Sequence, residues 1–200
     1  MRYLILSDIH GGNYELKQAL GFFSEFKCDF LILLGDLLNH GPRNRVPGDY
    51  DPMEVAPQLE RYKDRIIAVR GNCDSEVDQM VFSFPCNAPY GWVLVPSAGK
   101  IVRVFLTHGH LYHYSSDEDR ERLGLCPGDI VISGHTHISG IFKTKSGVVN
   151  VNPGSTTIPK GGTEAGFALM DENGIELFTL DGRSVNRLEF ASLPAHISSR

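Results

Sequence analysis

The stretch Asp129-Ile130-Val131-Ile132-Ser133-Gly134-His135-Thr136-His137 runs an apolar segment straight into a glycine and a pair of histidines. Four other segments have the same form. Leu4-Ile5-Leu6 leads into Asp8-Ile9-His10, and Phe30-Leu31-Ile32-Leu33-Leu34 leads into Gly35-Asp36. Ile66-Ile67-Ala68-Val69 leads into Gly71-Asn72, and Val102-Arg103-Val104-Phe105-Leu106 leads into His108-Gly109-His110. Short runs rich in β-branched residues, closed by polar turn residues, read as strands. Strands that end together deliver their terminal side chains to the carboxyl edge of a sheet, where open α/β proteins bind ligands. Asp8, His10, Asp36, Asn72, His108, His135 and His137 then converge, enough donors for two metal ions.

Working outward, Leu16, Ala19, Leu20 and Phe23 make the apolar stripe of a helix over 14–26, with Asn13 as its expected cap. Cys28-Asp29 breaks into the second strand, so the chain opens as a βαβ unit with a parallel pair. Residues 39–51 read as a long loop, a length that is often functional in a compact domain. A helix over Met53–Tyr62, despite Pro57, precedes the third strand, and Asp74–Met80 reads as a short helix. From Pro85 onward the pattern is strand-like: 92–96, 100–107, 129–133, 138–144, 148–151, 166–170 and 174–180. Asp171-Glu172-Asn173-Gly174 serves as a hairpin turn. The first half is βαβαβ and the second mostly antiparallel β. Two sheets packed face to face with helices outside fit this order. One domain over 1–182 is expected, with residues 183–200 as an extension whose polar end frays.

The 200 residues suit a single domain, and 42% hydrophobic residues suffice for a core. A net charge of -5 argues against a general nucleic-acid binder, whose affinity comes from a basic surface. It leaves an anionic substrate open, because bound metals invert the local sign. Cys28, Cys73, Cys86 and Cys126 include no C-x-x-C pair and read as reduced thiols of an intracellular protein. The apolar run near Met1 is too short for a signal segment or a membrane span, so a soluble cytoplasmic protein is expected.

A two-metal centre for phosphoryl transfer holds its ions roughly 3.5–4 Å apart with hard ligands. A carboxylate suits the bridge, since each oxygen can serve one cation, and Asp36 is the candidate. Asp8 and His10 are two residues apart and would point to one side of an extended strand end. They can share one ion with His137, leaving Asn72, His108 and His135 for the second. A lone Asp-x-His recurs by chance, and Gly35-Asp36 alone is only a turn. The ordered set on strand ends carries the reading.

In Asp8-Ile9-His10, Gly35-Asp36, Gly71-Asn72-Cys73-Asp74, His108 and Gly134-His135-Thr136-His137 the chain resembles the calcineurin-like metallophosphoesterase superfamily. In Asn39-His40-Gly41-Pro42-Arg43-Asn44, Arg70 to Met80, Asn152-Pro153-Gly154-Ser155 and Pro159-Lys160-Gly161-Gly162 it resembles bacterial phosphodiesterases of the YfcE type. The similarity runs from Met1 to about Leu180. It implies a four-layer α/β/β/α sandwich of two mixed β-sheets flanked by helices. It implies one metal on Asp8, His10, Asp36 and His137 and another on Asp36, Asn72, His108 and His135. The implied ion is manganese, with zinc, iron or magnesium as substitutes; imidazole mixed with oxygen donors disfavours calcium. The implied reaction is hydrolysis of small phosphodiesters by a metal-bridging hydroxide, with Asp36, Asn72, Cys73 and His108 as its catalytic residues.

Most of the superfamily carries His where this chain has Cys73. A thiol is a weaker donor and carries no positive charge, which weakens stabilisation of a poor leaving group. Cys73, Asn39, His40 and Arg43 are the expected substrate contacts, Arg43 through its fork of donors. Arg70 is a candidate strand-end ion pair, and Asn152 to Ser155 a rigid turn under the site. Tyr112-His113-Tyr114 is either a stacking surface or an oligomer contact. His110 is either a surface imidazole or a participant. The expected partner is a small phosphodiester, with no stable nucleic-acid partner and no membrane; a homo-oligomer stays open. The alternatives are a phosphomonoesterase, a nuclease, or a scaffold such as the retromer subunit that uses this fold.

Overall fold

The computed structural model describes residues 1–112 and 116–194. Strand β1 (Tyr3–Leu6), helix α1 (Asn13–Glu25) and strand β2 (Phe30–Leu33) form the opening βαβ unit. Helix α2 (Pro52–Glu60), strand β3 (Ile66–Ala68) and helix α3 (Glu76–Val81) follow. Then come β4 (Tyr90–Ser97), β5 (Lys100–Thr107), α4 (Asp117–Leu123), β6 (Ile130–Ser133), β7 (Gly140–Lys143) and β8 (Val149–Asn152). The chain closes with β9 (Gly166–Met170), β10 (Gly174–Thr179) and β11 (Ser184–Glu189).

Two mixed sheets result, in the orders β11-β10-β9-β1-β2-β3 and β4-β5-β6-β8-β7. In the first, β1, β2 and β3 run parallel, Ile5 opposite Ile32 and Ile32 opposite Ile67. β9 lies antiparallel to β1 and returns through the Asp171–Gly174 turn into β10. In the second, β5, β6 and β8 are parallel, with β4 and β7 antiparallel on the edges. The second half is therefore less antiparallel than expected. The β5–β6 connection carries α4 and crosses over, which a parallel pair requires. β9 to β11 leave the second sheet altogether and extend the first.

The two-residue period of the strands sorts their side chains between layers. Ile5 and Ile32 face inward and pack with Val104, Leu106, Ile130 and Ile132 of the other sheet. Leu4, Leu6, Leu31 and Leu33 face outward onto Leu16, Leu20 and Phe23 of α1 and Val55 and Leu59 of α2. Strands covered on both faces read as unbroken apolar runs, as Leu4 to Leu6 does. Phe105 and Val131 on the far face of the second sheet pack against Leu125, with Leu123 of α4 alongside. The layers are thus α/β/β/α. Cutting one of these buried Leu or Ile side chains to Ala is worth about 2–5 kcal/mol.

Two local expectations change. Gly12, in extended conformation, is the residue that starts α1, with no side-chain cap. Asn13 is already helical and accepts a hydrogen bond from Gln58 Nε2 at 2.6 Å, tying α1 to α2. The boundary expected at 182 falls inside a sheet: β11 pairs with β10, and Phe190 and Leu193 are buried beyond it. The expected frayed end, from residue 195 on, lies outside the described residues. The four cysteines are unpaired. Among the described residues no helix is long and apolar enough to cross a membrane.

Candidate metal centre

The seven sequence-predicted donors sit where β1, β2, β3, β5 and β6 end, at one common edge of the two sheets. The backbone there is unusual. Asp8 (φ 52°), His10 (φ 48°), Asp36 (φ 54°), His135 (φ 67°) and His137 (φ 60°) all occupy the left-handed region. Each such residue costs about 1–3 kcal/mol unless its surroundings over-determine it. Asp8 and His10 therefore reach the same side through two left-handed turns, not through an extended strand end, and so do His135 and His137.

The surroundings that hold this geometry are visible bond by bond. The Asp8 amide donates to Gly35 O (3.1 Å) and the His10 amide to Asp36 O (2.9 Å), locking the first loop to the second. Ser155 Oγ donates to Asp8 O at 2.6 Å, and Asn152 Nδ2 to Gly134 O at 2.8 Å. The turn Asn152–Ser155 thus supports the site from below, as the sequence suggested. Gly134 is required by proximity, since a Cβ there would lie 1.9 Å from Ser7 Oγ.

Three imidazoles share one orientation device. His10 Nδ1 donates to Asn39 O, His108 Nδ1 to Leu34 O and His137 Nδ1 to Ile158 O, each at 2.7 Å. With Nδ1 carrying the proton, every Nε2 turns a lone pair into the centre. His10 Nε2 and His137 Nε2 then face each other at 3.3 Å, an arrangement that a cation between them relieves. Asp8 Oδ1 is buried without a hydrogen-bond partner, 3.2 Å from His137 Nε2 and 3.8 Å from His10 Nε2. Asp36 Oδ2 lies 3.6 Å from His10 Nε2 and 3.5 Å from His108 Nε2. Asn72 Oδ1 lies 3.1 Å from His108 Nε2. The donor set fits divalent cations: an orphaned carboxylate oxygen, facing lone pairs and an amide oxygen converge on one space.

The grouping differs in part from the expected one. Asp8, His10 and His137 form one cluster; Asp8, Asp36 and His108 form a second; His10, Asp36 and Cys73 form a third. Asp8 thus reaches both halves of the centre. The His135 ring stands further out, packed on His108 and His110 at 5.1 and 6.1 Å between centroids.

Burial works to raise the Asp8 and Asp36 carboxyls, but the His137 and His108 imidazoles outweigh it and hold both below the usual range. Burial works to lower His108, yet its contact with Asp36 and the Asp8 charge push it up to about 9.

Sequence reasoning missed Asp74 as more than a motif letter. Its buried carboxylate accepts the amides of Asp36 (2.8 Å), Leu37 (2.8 Å) and Gly71 (2.7 Å). It staples the Asp36 loop to the Asn72 loop. Burial, with the Asp36 charge behind it, pushes its carboxyl up to about 6, against those three donors. No periodicity signals such a role; only its place beside Gly71-Asn72 does.

A cavity of about 580 Å³ opens over the centre. It is lined by Asp36, Asn72, Cys73, His135, Thr136 and His137 of the centre and by Asn39, Gly41 to Asn44 and Lys160 of the flanking loops. Cys73 donates its amide to Asp36 Oδ1 at 2.7 Å and takes a hydrogen bond from Asn72 Nδ2 on its sulfur at 3.2 Å. Burial and the Asp36 charge push its thiol up to about 12. Arg43 is exposed on the loop rim, and its charge adds to the burial and His108 effects that lower His135. His40 is a correction: its ring packs edge-on against Tyr50, 5.3 Å between centroids, and does not line the cavity. Arg70 is another. Its Nε donates to Asp74 O at 3.2 Å, a backbone contact in place of the expected ion pair. His110 is half-buried beside His108, 5.2 Å between centroids. Tyr112 packs on Tyr90 and Phe105; His113 and Tyr114 lie outside the described residues.

A sandwich of two mixed sheets with His, Asp and Asn donors on their shared edge defines a class of phosphoester-processing proteins. Residues 1–174 match the calcineurin-like phosphoesterase superfamily domain, and the chain belongs to that superfamily. It is 40% identical over 185 residues to the phosphodiesterase YfcE of Escherichia coli (strain K12), covering 92% of this chain and 95% of that one. The solved structure of YfcE, described as a phosphoesterase from E. coli, superposes with a TM-score of 0.84 at 36% identity, covering 95% and 100% of the two chains. Vacuolar protein sorting 29 of Cryptosporidium parvum shares the fold, with a TM-score of 0.62 at 18% identity over 94% of this chain and 97% of that one.

Proposed function

We propose that this protein is a two-metal phosphodiesterase acting on small phosphodiesters. The observation that carries this is Asp36 Oδ2, set 3.6 and 3.5 Å from the lone-pair nitrogens of His10 and His108. One oxygen facing both halves of the centre is what a bridging ligand needs. Asp8, His10, Asp36 and His137 would hold one ion, and Asp36, Asn72, His108 and His135 the other. Manganese is the expected ion, since mixed imidazole, carboxylate and amide donors suit manganese, iron or zinc. When bound, such ions supply Lewis-acid charge at the phosphate and acidify water. Four unpaired cysteines suit a reducing compartment such as the cytoplasm.

The chain's own residues do the rest. Asn39 O, Leu34 O and Ile158 O hold the three rings, so no reorientation is required when charge develops. Arg43 and Asn39 on the loop wall bind and orient the ester from across the cavity. Cys73 contacts it as a neutral thiol and adds no charge at the leaving group. The similarity to YfcE supports diester over monoester chemistry. The net charge of -5 supports a small substrate over a polymer. The test is turnover of a small aryl diester, a monoester and single-stranded nucleic acid, by protein stripped of metal and then reloaded with manganese. Diester turnover restored by manganese supports the reading; preference for the polymer with a steep salt dependence would make it a nuclease.

A further inference from the structure

The loop wall of the cavity carries more positive charge than one diester phosphate uses. Lys160 comes from the turn after the site-supporting segment, 116 residues from its partner Asn44, yet its Nζ donates to Asn44 Oδ1 at 2.9 Å. Its backbone amide donates to His137 O at 3.0 Å, so the residue is anchored directly behind a candidate metal ligand. Asn44 is held in turn by its Nδ2, which donates to His40 O at 2.8 Å. Lys160 and Arg43 thus stand on one rim of the cavity.

Neither Arg43 nor Lys160 pairs with a carboxylate among the described residues. The carboxylate among the cavity's lining residues is Asp36, which faces the imidazoles and belongs to the metal side. In a chain of net charge -5, two unneutralised cations on one cavity wall are a local reversal. The cavity, about 580 Å³, is also larger than a phosphodiester group alone requires and suits a nucleotide-sized ligand.

We infer that the Arg43–Lys160 rim is a second anion subsite, and that the preferred substrates are phosphodiesters bearing another phosphate on the arm that is not the leaving group. This rests on the phosphodiesterase reading and names the substrate class of that site. The scissile phosphate sits over Asp36, Asn72 and His135. The second phosphate takes a charge-assisted hydrogen bond from Lys160 Nζ, replacing the neutral Asn44 oxygen as its partner, while the neighbouring Arg43 fork orients the scissile diester.

The test uses a matched pair of manganese-supplemented substrates: thymidine 5′-(4-nitrophenyl phosphate) and the same compound with a 3′-phosphate. The expected result is a preference for the 3′-phosphorylated diester of about tenfold or more in kcat/KM, mostly in KM, worth one charge-assisted contact. In Lys160→Gln that ratio should fall to within about threefold of unity. Lys160 is exposed, so folding is not at issue. A wild-type ratio of one, or a ratio that survives Lys160→Gln, overturns the inference. Calorimetry with thymidine 3′,5′-bisphosphate and thymidine 5′-phosphate separates the two levels. If neither diester turns over but the bisphosphate binds more tightly and loses that advantage in Lys160→Gln, the hydrolase reading fails and the rim stands. Equal binding of the two probes removes the rim.

Discussion

The two walls of the cavity are built by opposite means. On the metal side Asp8, His10, Asp36, His108 and His137 are buried, and the three imidazoles of His10, His108 and His137 are fixed by backbone carbonyls while Asp8 Oδ1 is left free to bind a cation. On the loop side Asn39, Arg43 and Lys160 are exposed, and the Lys160 ammonium rests on the neutral side chain of Asn44. The first wall is preorganised and pays for it in left-handed backbone at five residues. The second is free to adapt. Reactive chemistry needs fixed atoms, whereas discrimination among esters tolerates adjustable ones. Substitutions on the metal side should therefore abolish turnover or unfold the site, and those on the loop side should change KM.

The largest effect is expected at the bridge. Asp36→Asn removes the charge from the oxygen that faces His10 and His108 and should lower kcat by about a thousandfold or more. Metal content by elemental analysis should fall with it, and chelation of the wild type should give the same loss, reversed by manganese. Wild-type turnover in Asp36→Asn, or after exhaustive chelation, would break the contrast between the walls at once.

Next comes the staple. Asp74→Ala leaves the amides of Asp36, Leu37 and Gly71 without their acceptor. An unfolding free energy lower by about 3 kcal/mol or more is expected. That corresponds to a melting temperature lower by about 6–12 °C for a chain of this size. Metal affinity should fall too, because the Asp36 and Asn72 loops lose their tie. Asp74→Asn keeps one acceptor oxygen and should recover part of both. Unchanged melting would show that the staple carries nothing.

Much of the metal wall was legible because its donors follow apolar runs, and a run of strand length ends at a sheet edge wherever the sheet is placed. The order Asp8, Asp36, Asn72, His108, His135 survives folding for that reason. What holds the donors was not legible. The Nδ1 partners are carbonyls of Asn39, Leu34 and Ile158, and a carbonyl has no sequence signature. The left-handed backbone at Asp8 and His10 was hidden too, since Asp-x-His reads equally well as a strand end. The transfer of β9 to β11 into the first sheet depends on which edge was free, a tertiary choice that alternation cannot encode. Lys160 escaped because its place on the rim comes from a contact spanning 116 residues.

On the loop wall, Arg43→Ala should raise KM for a small diester by about tenfold with kcat little altered, the loss of one charge-assisted contact. Saturation kinetics at fixed manganese would check it. A fall in kcat with KM unchanged would move Arg43 from binding to transition-state stabilisation and blur the division between the walls. No change in either would return it to solvent.

The smallest effect is expected at His40, and it tests where the loop wall ends. The sequence groups His40 with Asn39 and Arg43, but the ring turns away from the cavity onto Tyr50. Tyr50 in turn lies against Gly11, where an added Cβ would meet its ring at 2.5 Å. His40 thus belongs to the packing that fixes the loop's far end, next to the His10 turn. His40→Ala should cost about 1 kcal/mol, the worth of one edge-on ring contact. The melting temperature should fall by about 2–4 °C. Both kcat and KM should stay within about twofold of wild type, as for a substitution away from the site. A tenfold rise in KM with unchanged melting would mean that the ring swings into the cavity when substrate binds. The adaptable wall would then run unbroken from Asn39 to Asn44, and the packing on Tyr50 would be a resting position.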